Sequence, residues 1–200
     1  MPPVSARYRE ARRQEIIRAA RRCFARAGFA GTSMSDVFAE SGLSAGAVYG
    51  YFTSKDELVS VIIDEILDEV GRTLAPALDD HPLEPLGQVL TRFLQVLQSS
   101  LANDLPGLAV QVWAEAQRND TLRARLADDH RRVRHHFTCL LDHYVTQGAI
   151  PHDAPIAEMA EILTAIGPAF LVQSALLGDL DPERLMAGFE GLVAVRTGIE

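Results

Sequence analysis

Apolar positions recur at a helical period along almost the whole chain, and no Val/Ile/Thr-rich alternating run stands out to suggest a strand. Ile16, Ile17, Ala20, Phe24 and Ala27 share one face of a helix from about Arg9 to Ala27. Arg12, Arg13, Arg18, Arg21 and Arg22 fall mainly off that face. Gly28 ends the helix, and Phe29 is placed to tuck back against the core. Residues 1–8, with two prolines, read as an arm whose Arg7 either reaches a phosphate or minor groove or stays free.

The stretch from Thr32 to Lys55, TSMSDVFAESGLSAGAVYGYFTSK, is the densest in signals. Ser33 with Asp36 three residues on is a capping box with Asp in place of Glu. It opens a short helix to about Ser41, which Gly42 stops. Leu43 plugs the turn. Ser44 caps a helix from Ala45 to Phe52, and Ser54 with Glu57 caps the next, from Lys55 to about Leu74. Two short helices joined by a tight Gly-containing turn form the helix-turn-helix arrangement that reads DNA.

Further along, Leu58, Val59, Ile62, Ile66 and Val70 make one apolar stripe, and Pro76, Pro82 and Pro85 then break the chain. Five more helices follow: about Pro85 to Leu101, Leu108 to Arg118, Asp120 (its cap) to Gln147, Ile156 to Leu177, and Asp181-Pro182 to about Arg196. Pro106 and Gly107 punctuate the fifth and sixth helices. The expectation is an all-α chain of about nine helices. A three-helix DNA-binding domain spans 9–69, with its helix-turn-helix at about 32–52. A larger helical domain spans 70–200.

Charge changes the picture. The 200 residues carry a net charge of −8, which is odd for a DNA binder. Residues 1–55, however, hold nine Lys/Arg against four Asp/Glu, a net +5, and the remainder holds 10 against 23, a net −13. A basic head on an acidic body fits a protein of which one end meets phosphate. The two cysteines, Cys23 and Cys139, read as buried thiols. The N-terminus is too charged for a signal peptide. The longest apolar run, Ile166 to Gly178, is interrupted by Gln173 and too short to span a bilayer. A soluble, cytoplasmic protein without a membrane partner is expected.

The run Thr32-Ser33, Val37, Gly42-Leu43-Ser44, Gly46, Tyr49, Phe52, Lys55 and Leu58 resembles the N-terminal domain of TetR/AcrR-family transcriptional regulators, over about fifty positions from near Arg9 to near Ile63. The resemblance implies a homodimer bound to a palindromic double-stranded operator, with half-sites about 34–36 Å apart per helical turn. It also implies a body that takes a small inducer, and regulation that is most often repression. In the reading helix, Ala45 and Ala47 are placed to touch thymine methyls, Gly46 to allow close backbone approach, and Tyr49 and Tyr51 to donate to phosphate or base edges. A core aromatic is the alternative reading of Tyr49. Thr32, Ser33, Ser44 and Lys55 are placed for phosphate. The reading helix lacks Lys and Arg, so the commonest contact to guanine is missing. Phe38 stands where a small residue is frequent and should either widen the helix crossing or face outward.

The resemblance also places the dimer interface on the last two helices, through Ile162, Ile166, Phe170, Leu177, Leu185, Phe189 and Leu192. It places a ligand pocket among helices 4 to 7, with Phe93, Leu97, Trp113, Gln117, His136, Phe137 and Tyr144 as candidate lining for an amphipathic or aromatic molecule. An enzyme is the main rival. Yet no Gly-rich phosphate loop, Ser/His/Asp order or CxxC appears, and the histidines of helix 7 (His130, His135, His136 and His143) lack a carboxylate at metal-ligand spacing. No catalytic residue, metal or cofactor is expected. A body that binds a protein partner, or an activator role, remains open on sequence grounds.

Overall fold

Gly28 sets the shape of the N-terminal region in the computed structural model, which describes residues 6–78, 83–100, 105–178 and 180–193. Helix α1 covers Ala6–Gly31, but Gly28 breaks it with φ 72° and ψ 176°. This left-handed backbone is open to glycine and strained for other residues. Phe29 then folds back, buried against Phe24 with ring centroids 6.0 Å apart. Helix α2 (Met34–Ser41) begins at the expected capping box. The Ser33 hydroxyl accepts from the Asp36 N–H, and the Asp36 carboxylate accepts from the Ser33 N–H at 2.8 Å. Gly42 ends α2 in the left-handed conformation.

Helix α3 (Ala45–Tyr49) is shorter than the sequence suggests, because the chain turns at Gly50 and Tyr51. Helices α4 (Lys55–Leu74), α5 (Leu86–Ser100), α6 (Leu105–Ala116), α7 (Asp120–Thr146), α8 (Ile156–Leu177) and α9 (Pro182–Val193) follow, with a 3-10 turn at Ala75–Leu78. The described residues are all-α, with nine α-helices and no strand. Pro106 and Gly107, read from sequence as punctuation, lie inside the first turn of α6, where a proline sacrifices no intrahelical hydrogen bond. Residues 1–5 of the expected arm, Pro82, Leu101 and the expected end of the last helix near Arg196 lie outside the described residues.

The chain forms two compact units. One takes in the chain up to Glu65 and the stretch from α6 to Leu126; the other takes in Ile66 to the end of α5 and Ala127 onward. The division within α4 comes between Glu65 and Ile66, where the sequence suggests 69/70. Helix α6, assigned to the body by sequence, groups with the head.

In the first unit α1 packs on α2 and α6. Ile16, Ile17, Ala20 and Phe24 are buried with Val37, Val48, Phe52, Leu58 and Ile62. Ala27, expected on the buried face, is exposed. The Gln111 side chain on α6 closes a gap left by the break in α1: its Oε1 accepts the Phe29 N–H at 2.8 Å. An unpaired N–H there would cost about 1–3 kcal/mol. The cap of α7 is Asn119 rather than Asp120. Its Oδ1 accepts the Leu122 N–H at 3.0 Å, while its Nδ2 donates to Asp56 on α4 at 2.9 Å.

In the second unit α5 packs against α8 and α9. Phe93 meets Phe137 edge to face with centroids 5.2 Å apart. The fit is close because α8 presents Gly167, where a Cβ would come within 3.1 Å of the Phe93 ring. Helix α8 has 22 residues and a mean hydropathy of 1.5, long and apolar enough by those two measures alone to cross a membrane, a character that the core helix of a folded domain shares. Its Leu163, Thr164, Gly167 and Phe170 are buried in this unit.

Candidate functional site

The surface of the helix-turn-helix is built from small residues. Ala45, Gly46, Ala47 and Tyr49 of α3 are exposed, Tyr51 is half-buried, and Val48 faces the core. Nothing lies within 4 Å of a Cβ built at Gly46, so the backbone there is open to close approach. The Ser44 hydroxyl caps α3 by accepting the Ala47 N–H at 3.3 Å. Phe38 neither faces freely outward nor stays bare. Half-buried, it packs its ring edge to face on Tyr49, with centroids 5.2 Å apart. Tyr49 is therefore braced by α2 while half of its surface stays exposed.

Three of the residues expected at phosphate are occupied elsewhere. Thr32 is 3% exposed, and its hydroxyl lies 2.7 Å from the Gly28 carbonyl and 3.1 Å from that of Cys23. It stabilises the chain reversal after α1 instead of facing outward. Lys55 donates to the Phe29 carbonyl at 2.8 Å, with its Nζ 4.2 Å from the centre of the Phe29 ring. Charge-assisted hydrogen bonding and cation–π attraction hold it there. Ser33 is exposed, but its hydroxyl donates to Asp36 at 2.7 Å. That bond, with the Ser33 N–H, draws the Asp36 carboxyl below its usual pKa range. A carboxylate thus already sits at the start of α2.

The basic head is largely neutralised within itself. Arg12 pairs with Glu15 at 2.6 Å, Arg13 and Arg21 reach Glu65 at 3.9 and 3.0 Å, and Arg22 and Arg26 clamp Glu40 at 2.6 and 3.2 Å. The two hydrogen bonds from Arg22 and Arg26 hold the Glu40 carboxyl below its ordinary pKa. Arg7, Arg9 and Arg18 are exposed and have no carboxylate partner among the described residues. Local spacing does not single out Arg9 and Arg18, because the carboxylates that take Arg21, Arg22 and Arg26 lie 44, 18 and 14 positions away.

The candidate ligand residues divide between the two units. Trp113 and Gln117 belong to the first unit and the other five to the second. Phe93, Leu97, Phe137 and Tyr144 are buried in the core of that unit, with the Tyr144 hydroxyl donating to the Glu84 carbonyl. His136 alone lines an open cleft, of about 440 Å³, between the C-terminal half of α4 and α7. Of the candidate interface residues, Phe170 is buried within its own unit, and Ile166, Leu185 and Phe189 are half-buried. Ile162, Leu177 and Leu192 are 59, 64 and 74% exposed, as is the unanticipated Leu176 at 77%.

Residues 16–62 match the sequence profile of the bacterial regulatory proteins of the tetR family, and residues 84–194 match the C-terminal profile of BetI-type transcriptional repressors. The second match alone covers more than half of the chain. The chain belongs to the TetR family of transcriptional regulators. An uncharacterized HTH-type transcriptional regulator of Bacillus subtilis, YfiR, is 30% identical over 181 residues, covering 89% of this chain and 86% of its own. The HTH-type transcriptional repressor Rv3405c of Mycobacterium tuberculosis is 35% identical over 122 residues, 58% of this chain and 65% of its own. Among solved structures, a putative TetR-family regulator from Syntrophomonas wolfei aligns with a TM-score of 0.76 at 17% identity, covering 96% of this chain and 98% of its own. Salmonella enterica GusR aligns with a TM-score of 0.73 at 24% identity, covering 96 and 99%. This TetR-family chain is thus a DNA-binding transcriptional regulator and not an enzyme.

Proposed function

We infer that the protein works as a homodimeric repressor that binds a palindromic operator and is released by a small molecule bound to its body. The observation that carries this reading is the exposed, Phe38-braced face of α3, which offers Ala45, Gly46, Ala47 and Tyr49 to a major groove. With no cation on that face, sequence is read by methyl contact, backbone approach and tyrosine hydroxyls. Phosphate contact falls mainly to Ser44, Tyr51 and the exposed arginines of α1.

Dimerisation is supported by Ile162, Leu176, Leu177 and Leu192, large apolar residues left exposed on the last two helices. A two-fold pair of heads reads two half-sites and doubles the contacts. Repression is favoured by the BetI-type profile and by relatives named as repressors. Helix α4 contributes to both units, so a ligand that shifts its C-terminal half would act on the head through one continuous helix. A ligand that prefers the DNA-free conformation 100-fold supplies about 2.7 kcal/mol.

Selection from a random duplex pool with the full-length protein, followed by titration of the enriched duplex at two salt concentrations, tests the reading. A palindromic winner bound by a dimer, with log K falling by roughly 0.9 per phosphate contact as log salt rises, is expected. Recovery of a non-palindromic site bound by a monomer would end the dimer reading.

A further inference from the structure

The crossing of α2 and α3 carries an aromatic pair at its solvent edge. Val37 and Val48 are fully buried and fix the two helices in the core of the first unit. Phe38 and Tyr49 each follow one of these valines, so both rings lie about 100° further round their helices. They come together there, with centroids 5.2 Å apart and planes at 71°. Edge-to-face packing of this kind is attractive beyond its buried area and favours one relative orientation.

The two residues differ in support. The backbone under Phe38 is tied to the turn: the Ser41 hydroxyl donates to the Phe38 carbonyl at 3.2 Å and accepts the Leu43 N–H at 3.4 Å. Tyr49 is the last residue of a five-residue helix. A helix that short draws little stability from its own hydrogen bonds. Half of the Tyr49 surface is exposed, and its hydroxyl has no hydrogen-bond partner among the described residues. Its ring is restrained through Phe38.

A tyrosine hydroxyl both donates and accepts. Free to swing, it can answer any of the four bases in a major groove and discriminates little. Held in one direction, it meets only a base edge with the matching donor or acceptor at that place. Ordering a loose side chain on binding also weakens affinity, by roughly 2- to 10-fold.

We propose that Phe38 is a positioning residue for base selection: its ring holds Tyr49 so that the tyrosine hydroxyl meets one base edge in each half-site. Phe38 acts through Tyr49 and need not touch the duplex. Restraint then supplies part of the selectivity that a reading face without Lys or Arg cannot draw from charge. The inference rests on the reading above in which α3 enters the major groove.

A double-mutant cycle on the full-length protein tests it. The probes are the duplex that the parent enriches from a random pool, its single-base-pair variants, and a scrambled duplex of equal length. Phe38→Ala should weaken the enriched duplex by about 3- to 10-fold. The scrambled duplex should change by less than about twofold and the salt slope should stay the same, because no phosphate contact is lost. Discrimination should fall at one base pair of each half-site and hold at the others. In a Tyr49→Ala background, Phe38→Ala should cost less than about twofold, since the ring it positions is gone. Phe38→Leu refills the space without a ring, so it guards against a fold defect and should repeat the loss of discrimination.

Equal losses in both backgrounds, equal losses on the enriched and scrambled duplexes, or unaltered discrimination at every base pair would overturn the proposal. So would a Tyr49→Ala protein that binds the enriched duplex like the parent. The failures separate. A palindromic winner with an additive cycle removes the role of Phe38 and leaves the regulator as read above. A non-palindromic winner bound by a monomer ends the dimer reading, and a coupled cycle on that duplex keeps the aromatic pair.

Discussion

The clustered arginines of α1 and Arg72 of α4 make opposite use of the same side chain. In the head, Arg12, Arg21, Arg22 and Arg26 are held by glutamates at 2.6–3.2 Å, and the charge surplus counted along the sequence is spent largely inside the unit. In the acidic body, Arg132 is engaged by acids that include Asp68 and Asp129, whereas Arg72, exposed near the end of α4, has no carboxylate partner among the described residues. Net charge by segment ranks the head as the anion-binding end. Pairing geometry shows that a body with a large negative sum can still carry a cation, Arg72, that no carboxylate among the described residues takes. The lesson is that a charge becomes available to a partner only after its intramolecular partners have been subtracted.

Four measurements sharpen or break this contrast. The largest effect belongs to the structural tie of the head. Gly28→Val forces a branched side chain into a left-handed backbone and drives its Cβ to 2.2 Å from Gln111 Oε1. Urea unfolding should show a loss on the order of 2–4 kcal/mol, whereas Arg72→Gln in the cleft should stay within about 0.5 kcal/mol of the parent. Next, Gln111→Leu removes the acceptor of the Phe29 N–H and should cost about 1–3 kcal/mol in the same assay. A neutral result would show that water replaces the amide oxygen.

Smaller in energy is Glu40→Gln, which frees Arg22 and Arg26 for phosphate. Stability should change little, because both arginines are largely exposed. Affinity for DNA at low salt should rise, with a steeper salt slope by roughly 0.9 for each arginine that reaches a phosphate. An unchanged slope would place this pair away from the duplex. The smallest effect is that of pH at His136. Its folded-state pKa is depressed, so between that value and the unfolded value near 6.5 the unfolded chain holds more protons. Stability should therefore fall on acidification below about pH 6.5, and His136→Gln should flatten part of that slope.

Much of the fold was legible because its signals are local. The Ser33–Asp36 box, the Gly42 stop and the bounds of α4 and α8 each depend on residues a few positions apart. What sequence reading missed depends on distant partners. Nothing near Lys55 reveals that a carbonyl 26 positions upstream will take its ammonium, nor does Thr32 reveal that it will be buried. Asn119 outcompetes Asp120 as the cap of α7 because Asp56, far back in the chain, fixes its amide. The resemblance puts Phe170 at an interface, which names its helix but not whether its side chain is covered from within. The cleft escaped notice for the same reason, since Arg72 and Arg132 become neighbours only through packing.

The Gln111–Phe29 bond bears on how such regulators can be recombined. A chimera that grafts a foreign sensor after residue 65 would import a different α6, and the break at Gly28 would lose the acceptor it was built around. The transplantable reading head of this chain is a discontinuous cassette. Exchanging sensors without carrying α6 along should weaken the head unless the new α6 offers an acceptor to the Phe29 N–H.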